Sequence, residues 1–212
     1  MESIKSYAIV IVGKERKCEV KDMTLDRVMT FAKKLLTERV ISGDCVVDGT
    51  MGNGHDTAFL AGLVGDNGKV LAFDVQNQAV ENTTTRLKEL GLLERVNCIL
   101  DGHENVATYL SAYEEKPLRA AMFNLGYLPG GDKSIVTTPD TTITAINVLC
   151  KKIERKGIIA LIVYHGHEEG KIERDAVVSH VSQLNQKEFD VAKYEFINQV
   201  NDPPFLLLIS KK

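Results

Sequence analysis

The sequence predicts an α/β fold: one doubly wound, mostly parallel sheet of seven strands, helices on both faces, and an antiparallel hairpin at the C-terminal end. Three observations carry that reading. Short apolar runs alternate with amphipathic stretches from residue 24 to residue 186. The first run, Cys45-Val46-Val47-Asp48, ends in an acid and leads straight into the glycine-rich turn Gly49-Thr50-Met51-Gly52-Asn53-Gly54. The last two apolar runs have no helical stretch between them.

Each element follows from its residues. In residues 24–41, Val28, Phe31, Ala32, Leu35 and Leu36 repeat at i, i+3, i+4, i+7 and i+8, the stripe of an amphipathic helix. Residues 45–48 form the first strand, and residues 55–64 a helix closed by Gly65 and an Asp66-Asn67-Gly68 turn. Residues 69–74 form the second strand and end in Asp74. Asn77 caps a helix that runs to Leu90 and stops at Gly91. Residues 96–100 form the third strand, Asp101 follows, and residues 103–113 are helical. Residues 120–124 form the fourth strand.

Beyond a loop, Thr138 caps a helix with Pro139 at its first position, where the missing N–H costs nothing. Ile143, Ile146, Leu149, Cys150 and Ile153 make its apolar stripe, and Gly157 ends it. Residues 158–164 are apolar almost throughout, as suits a fifth strand buried on both faces. Residues 168–186 form a helix with Ile172, Ala176, Val177, Val181 and Leu184 on one side. Residues 189–197 and 205–209 then pair as the hairpin.

Composition narrows the class. The 212 residues are 44% hydrophobic and 26% charged, an ordinary globular mix, and no repeat or linker splits them. A single domain spans residues 23–212, with residues 1–22 as an N-terminal extension and Met23 as an alternative start. No apolar run nears the roughly 20 residues that cross a bilayer. The run Tyr7-Ala8-Ile9-Val10-Ile11-Val12 is short and followed by charges, a poor secretion signal, so a cytoplasmic location without membrane contact is expected. Cys18, Cys45, Cys98 and Cys150 form no C-x-x-C pair and read as reduced thiols. A net charge of −3 means that a nucleic-acid partner would need a local basic patch. Lys33-Lys34, Lys133, Lys151-Lys152 and Arg155-Lys156 are the candidates.

The glycine turn selects the cofactor class. Nicotinamide-binding domains usually place a glycine directly after the first strand and a third glycine three residues after the second. Here Asp48 closes the strand and Thr57 holds the third-glycine position. Together with Asp74 and the terminal hairpin, this resembles the Rossmann-like class I S-adenosylmethionine-dependent methyltransferase fold. Glycines let the backbone approach a ligand where a Cβ would collide. N–H groups at the helix start suit the donor's carboxylate, and Asp48 its ammonium, directly or through water. Asp74, at the tip of the second strand, suits the ribose hydroxyls. Asp101 occupies the place of an acid that meets the adenine amine, or caps the segment after it. The resemblance extends the donor site to Gly49, Gly52, Asn53, Gly54, Asp56, Thr57, Gln76, Gly102, His103 and Asn124. His103 and His180 otherwise read as a cap and a helix-surface residue.

Asn124-Leu125-Gly126-Tyr127-Leu128-Pro129 follows the fourth strand. Amine-methylating enzymes of this fold carry an Asn/Asp-Pro-Pro-aromatic motif there, whose asparagine oxygen accepts a hydrogen bond from the target amine. Leu125-Gly126 stands here in place of the two prolines. The motifs Gly52-Asn53-Gly54-His55-Asp56-Thr57, residues 123–132 ending Tyr127-Leu128-Pro129-Gly130-Gly131-Asp132, Thr137-Thr138-Pro139-Asp140-Thr141-Thr142, Tyr164-His165-Gly166-His167 and Pro203-Pro204-Phe205 occur in that order. They resemble the MnmM (YtqB) family, from about residue 24 to the C-terminus. The resemblance implies methylation of the amine of 5-aminomethyl-(2-thio)uridine at tRNA wobble position 34, with the tRNA anticodon stem-loop as partner and a homodimer as one way to complete its footprint. It implies roles for Asn124, Tyr127, His165 and His167 in catalysis, and for Tyr127, Leu128, Pro129, Gly130, Tyr164 and His165 in holding the base. His165 and His167 face one way only if the fifth strand continues through them. No third ligand stands near them, so no metal is expected.

Three other readings compete: an rRNA base N-methyltransferase, which the Asp48–His55 turn also resembles; a nicotinamide-dependent oxidoreductase; and an RNA-binding module without chemistry. Asp48 and the hairpin oppose the second. Asp48, Asp74 and Asn124 together oppose the third.

Overall fold

Seven strands form one sheet in the order β3-β2-β1-β4-β5-β7-β6. The structure is a computed structural model that describes residues 25–126, 130 and 136–212; the extension over 1–22 and Met23 fall outside the described residues. The strands are β1 (Cys45–Asp48), β2 (Lys69–Asp74), β3 (Val96–Leu100), β4 (Leu118–Leu125), β5 (Ile158–Val163), β6 (Phe189–Tyr194) and β7 (Phe205–Lys211). The helices are α1 (Val28–Arg39), α2 (His55–Val64), α3 (Asn77–Glu89), α4 (Val106–Leu110), α5 (Pro139–Lys152) and α6 (Glu168–Ser182). Strands β1 to β5 are parallel to one another, while β7 runs antiparallel to β5 and to β6. The strand order reverses at β1, which lies between β2 and β4, so a crevice opens at their C-terminal ends.

The pleat divides the core. Val47, Leu71, Phe73, Phe123, Ile159 and Leu161 point to the face covered by α4, α5 and α6. Val46, Val70, Ala72, Met122, Ala160 and Ile162 point to the face covered by α1, α2 and α3. Both faces are therefore dry, which is why these strands are apolar at every position rather than at alternate ones. Cys45, Cys98 and Cys150 are free thiols; burial pushes Cys45 up to about 12 and Cys150 to about 11, so neither is a ready nucleophile. Among the described residues, no helix is long and apolar enough to cross a membrane.

Several elements differ from expectation for local reasons. Asn77 does not cap α3: it is the first helical residue and its amide bonds Glu81 instead. The stretch 103–113 is two 3₁₀ turns flanking the short α4. Ile172 is exposed, because α6 turns Glu173 inward and rotates the expected stripe. Strand β6 stops at Tyr194, paired with Leu206; continued in register, Phe196 and Ile197 would face Pro204 and Pro203, which have no N–H to share.

Asp48 closes β1 and is fully buried. Its carboxylate accepts the Thr50 N–H at 3.1 Å and the Thr57 hydroxyl at 2.7 Å. Burial dominates these donors and lifts its pKa to about 7.

Two outcomes follow from this packing. Leu161→Ala empties a fully buried site and is expected to cost about 2–5 kcal/mol, read as a lower urea midpoint at unchanged m-value. The folded Asp48 holds its proton to a higher pH than the unfolded chain. Its contribution to stability is thus complete below about pH 4 and lost as pH rises through about 7, on the order of 4 kcal/mol. Asp48→Asn is expected to stabilise the ligand-free protein at pH 8 and change it little at pH 4, measured by urea unfolding at both.

Candidate active site

The crevice at the strand reversal is built by the turn between β1 and α2. Gly49 donates its N–H to Met122 O at 2.9 Å, and Met51 donates to Phe73 O at 2.8 Å, so the turn is fastened to β4 and β2 together. A Cβ on Gly49 would lie 2.0 Å from the buried Phe123 ring. Gly54 begins α2 with φ +77°, and a Cβ there would meet the Thr83 backbone at 2.9 Å. Neither position accepts a side chain. Thr57 points inward to Asp48. The Asn53 amide oxygen accepts from Asn82, and its carbonyl from Arg86.

Two cavities flank this turn and meet at Thr50, Gly52 and Asn124. The first, of about 180 Å³, has Gly49, Asp74, Gln76, Asp101, Gly102 and His103 in its wall. Asp74 accepts the Gly52 N–H at 3.1 Å on one oxygen and the Gln76 N–H at 3.0 Å on the other; burial raises its pKa. Asp101 accepts from Gly102 N–H and Asn105 at 2.8 Å, and from Tyr109 at 3.0 Å. These bonds, Asn105 first, hold its carboxyl below the ordinary aspartate value. Asp101 lines the cavity and braces the segment after it through the Asn105 and Tyr109 side chains, but it is not its N-cap, a place that Gly102 takes. His103 is buried, not a surface cap. Burial keeps its imidazole neutral, so Nδ1 donates to Gly49 O at 2.9 Å and Nε2 has no partner among the described residues. Asp48 lines neither cavity.

The second cavity, of about 560 Å³, takes in Asn53, Asp56, Tyr164, His165 and His167, with Met29 of α1 and Asp202 of the β6–β7 hairpin. Asn124 ends its wall: the backbone N–H donates to the Thr50 hydroxyl at 2.7 Å and the side-chain Nδ2 to Asp56 at 2.9 Å. Lys33 of α1 holds the other Asp56 oxygen at 2.7 Å. Asp56 therefore belongs to this cavity and not to the one that holds Asp74. Strand β5 ends at Val163, so His165 and His167 are not strand neighbours; a turn brings both to the cavity, and His167 starts α6. His165 is 6% exposed, packs 5.4 Å from the Phe205 ring, and has no partner on either ring nitrogen among the described residues. His180 lies farther along α6 and bonds Asn147 of α5 at 2.9 Å.

The loop after β4 is closed at its base. Gly126 N–H donates to the Thr137 hydroxyl at 2.9 Å, and Thr137 N–H returns to Gly126 O at 3.1 Å. The buried Glu173 accepts both the Thr137 hydroxyl, at 2.5 Å, and the Thr142 hydroxyl, at 2.7 Å. Tyr127, Leu128, Pro129 and Lys133 lie outside the described residues; Gly130 is exposed with φ +82° and lines neither cavity. Of the basic candidates among the described residues, only Lys33 reaches the crevice, through Asp56. Lys151-Lys152 and Arg155-Lys156 sit just before β5, at the opposite end of the sheet. Met29, Lys33 and Asp202 are not legible as crevice residues, since each reaches it only through helix docking or hairpin closure; Thr50 sits in the glycine turn itself, but its bond to the Asn124 backbone spans 74 residues. Among the described residues, no group of three His, Cys, Asp or Glu could hold a metal ion.

Known proteins resemble this arrangement. A family model described as putative rRNA methylase matches residues 70–210. A chloroplastic tRNA (mnm(5)s(2)U34)-methyltransferase of Arabidopsis thaliana is 33% identical over 192 residues, 86% of this chain and 69% of that protein. The crystal structure of a putative rRNA-methylase from Clostridium thermocellum is 44% identical, covers 90% of this chain and 100% of its own, and has a TM-score of 0.86. A putative methyltransferase from Streptococcus mutans, in complex with SAH, is 41% identical over 89% of this chain and 99% of its own, with a TM-score of 0.81. With the family model spanning residues 70–210 and the Clostridium thermocellum structure matched at a TM-score of 0.86, the chain belongs to the putative rRNA methylase family and has the Rossmann-like class I methyltransferase fold.

Proposed function

We propose that this protein is an S-adenosylmethionine-dependent methyltransferase that acts on the primary amine of 5-aminomethyl-(2-thio)uridine at tRNA position 34, giving 5-methylaminomethyl-(2-thio)uridine. One observation carries the reading: Asn124 stands where the two cavities join, with its amide nitrogen turned to Asp56 and its oxygen left as an acceptor. An amine-directed transferase needs such an acceptor beside the donor's methyl carbon. The name of the Arabidopsis relative supports the wobble uridine as the target.

The smaller cavity fits the donor. Asp74 stands at the tip of β2 for the ribose, Gly49 and Gly52 keep the turn free of side chains, and the orphan His103 Nε2 offers an acceptor. Asp48, fully buried beneath the turn with its pKa lifted to about 7, supports the donor side by holding Thr50 and Thr57 in place. When bound, the donor supplies a methyl carbon activated by its sulfonium sulfur, so the protein's task is placement and a deprotonated nucleophile.

The larger cavity suits a cationic amine, since Asp56 and Asp202 are both in its wall. His165 takes one proton from the ammonium: neither of its ring nitrogens has a partner among the described residues, and the ring is shielded from bulk water. One of the two remaining N–H groups donates to Asn124 Oδ1, which turns the nitrogen lone pair toward the methyl carbon. The N–C bond forms as the C–S bond breaks, and the electron pair leaves on sulfur. Holding both reactants in line contributes about 7–11 kcal/mol of barrier reduction.

The test is nucleoside mass spectrometry of tRNA and rRNA from a strain lacking the gene, before and after incubation with protein and S-adenosylmethionine. Conversion of 5-aminomethyl-(2-thio)uridine to its N-methyl form, with rRNA nucleosides unchanged, is expected. Methylation of an rRNA base with the wobble uridine untouched would overturn the reading.

A further inference from the structure

The geometry points to Asp56 as a positioning residue that sets which way the Asn124 amide faces, in place of the donor-binding role its motif suggested; this rests on Asn124 being the acceptor for the target amine. Asp56 Oδ2 lies 2.9 Å from Asn124 Nδ2, and Lys33 Nζ lies 2.7 Å from Asp56 Oδ1. A carboxylate only accepts hydrogen bonds. The Asn124 group that faces it must therefore be the NH₂, and the carbonyl oxygen is turned away. That oxygen has no partner among the described residues, and Asn124 lines both cavities. The backbone of Asn124 is pinned separately, through its N–H to Thr50. The side-chain torsion is then the one freedom left, and Asp56 removes it.

A flipped amide would set NH₂ against the N–H of the substrate, donor against donor, and would leave the reacting nitrogen unheld. Asp56 also occupies the first turn of α2, where an acid favours the helix dipole. That role alone would be felt in stability and not in the methyl-transfer step. Asp56 lines the larger cavity and is absent from the wall shared with Asp74, so donor affinity is not its contribution either. Lys33 gives the arrangement its third member: docking of α1 against the β1–α2 turn places a cation on the carboxylate oxygen that Asn124 does not use.

The test is a double-mutant cycle of Asp56→Ala and Asn124→Ala. It uses single-turnover methyl transfer at saturating S-adenosylmethionine to bulk small RNA from a strain lacking the gene, beside calorimetric titration with S-adenosylhomocysteine. The identity of the methylated nucleoside in the wild-type reaction tests the wobble reading; coupling between the two residues tests the inference, whichever nucleoside is found. Asp56→Ala is expected to slow transfer about 10- to 100-fold, to leave S-adenosylhomocysteine affinity within about twofold, and to add nothing further in the Asn124→Ala background. Asp56→Asn keeps the shape but can hold either end of the Asn124 amide, and should fall between wild type and Asp56→Ala. It also serves as the test variant if the alanine protein does not fold. An unchanged rate, additive losses in the double variant, or a large loss of S-adenosylhomocysteine affinity would each overturn the assignment.

Discussion

The site depends on one constraint: the backbone of the β1–α2 turn must lie against the ends of two strands, β2 and β4, at once. Gly49 is held by Met122 of β4, Met51 by Phe73 of β2, and Gly52 by the Asp74 carboxylate. Thr50 reaches across to the Asn124 backbone. A turn this crowded has no room for a Cβ at Gly49, where the Phe123 ring fills the space. Buried Asp48 and Thr57 secure the turn from below. These bonds are short-range, but they determine how far apart the donor and acceptor cavities can be.

Function divides along the same seam. On the β2–β3 side, carboxylates and an imidazole whose Nε2 has no partner among the described residues face a small cavity suited to an adenosine-bearing donor. On the β4–β5 side, the larger cavity draws on α1, α6 and the terminal hairpin, and its wall contains Asp56, His165 and Asp202. Asn124 is common to both. The helix layer is thus more than a cover for the sheet: α1 delivers Met29 and Lys33, while Glu173 of α6 anchors both ends of the loop after β4 through Thr137. Substrate-side chemistry therefore relies on tertiary docking to a greater degree than the donor side.

That difference explains what the sequence could disclose. The donor side is local: a strand end, a glycine turn and a second acid one strand away, all within residues 45–74. The continuous apolar runs and the glycine stops place β1, α2 and β2 with their observed boundaries. The hairpin is legible because no helix fits between its strands, although its prolines shorten β6. The acceptor side is not local. Nothing near Asp56 in the sequence indicates that it will meet Asn124, and the motif groups it instead with the donor residues. His103 looks like a cap until the packing against Phe123 buries it. Glu173 reads as a solvated helix residue, and only the hydroxyls of Thr137 and Thr142 make its burial tolerable.

The central claim is that the β1–α2 turn brings a sulfonium donor and an amine acceptor together at Asn124. A crystal structure with S-adenosylhomocysteine bound addresses it most directly. The ribose hydroxyls are expected within hydrogen-bonding distance of Asp74, with the sulfur facing Asn124 at the junction of the two cavities. A ligand seated away from this crevice, or bound in it with the sulfur turned from Asn124, would contradict the claim.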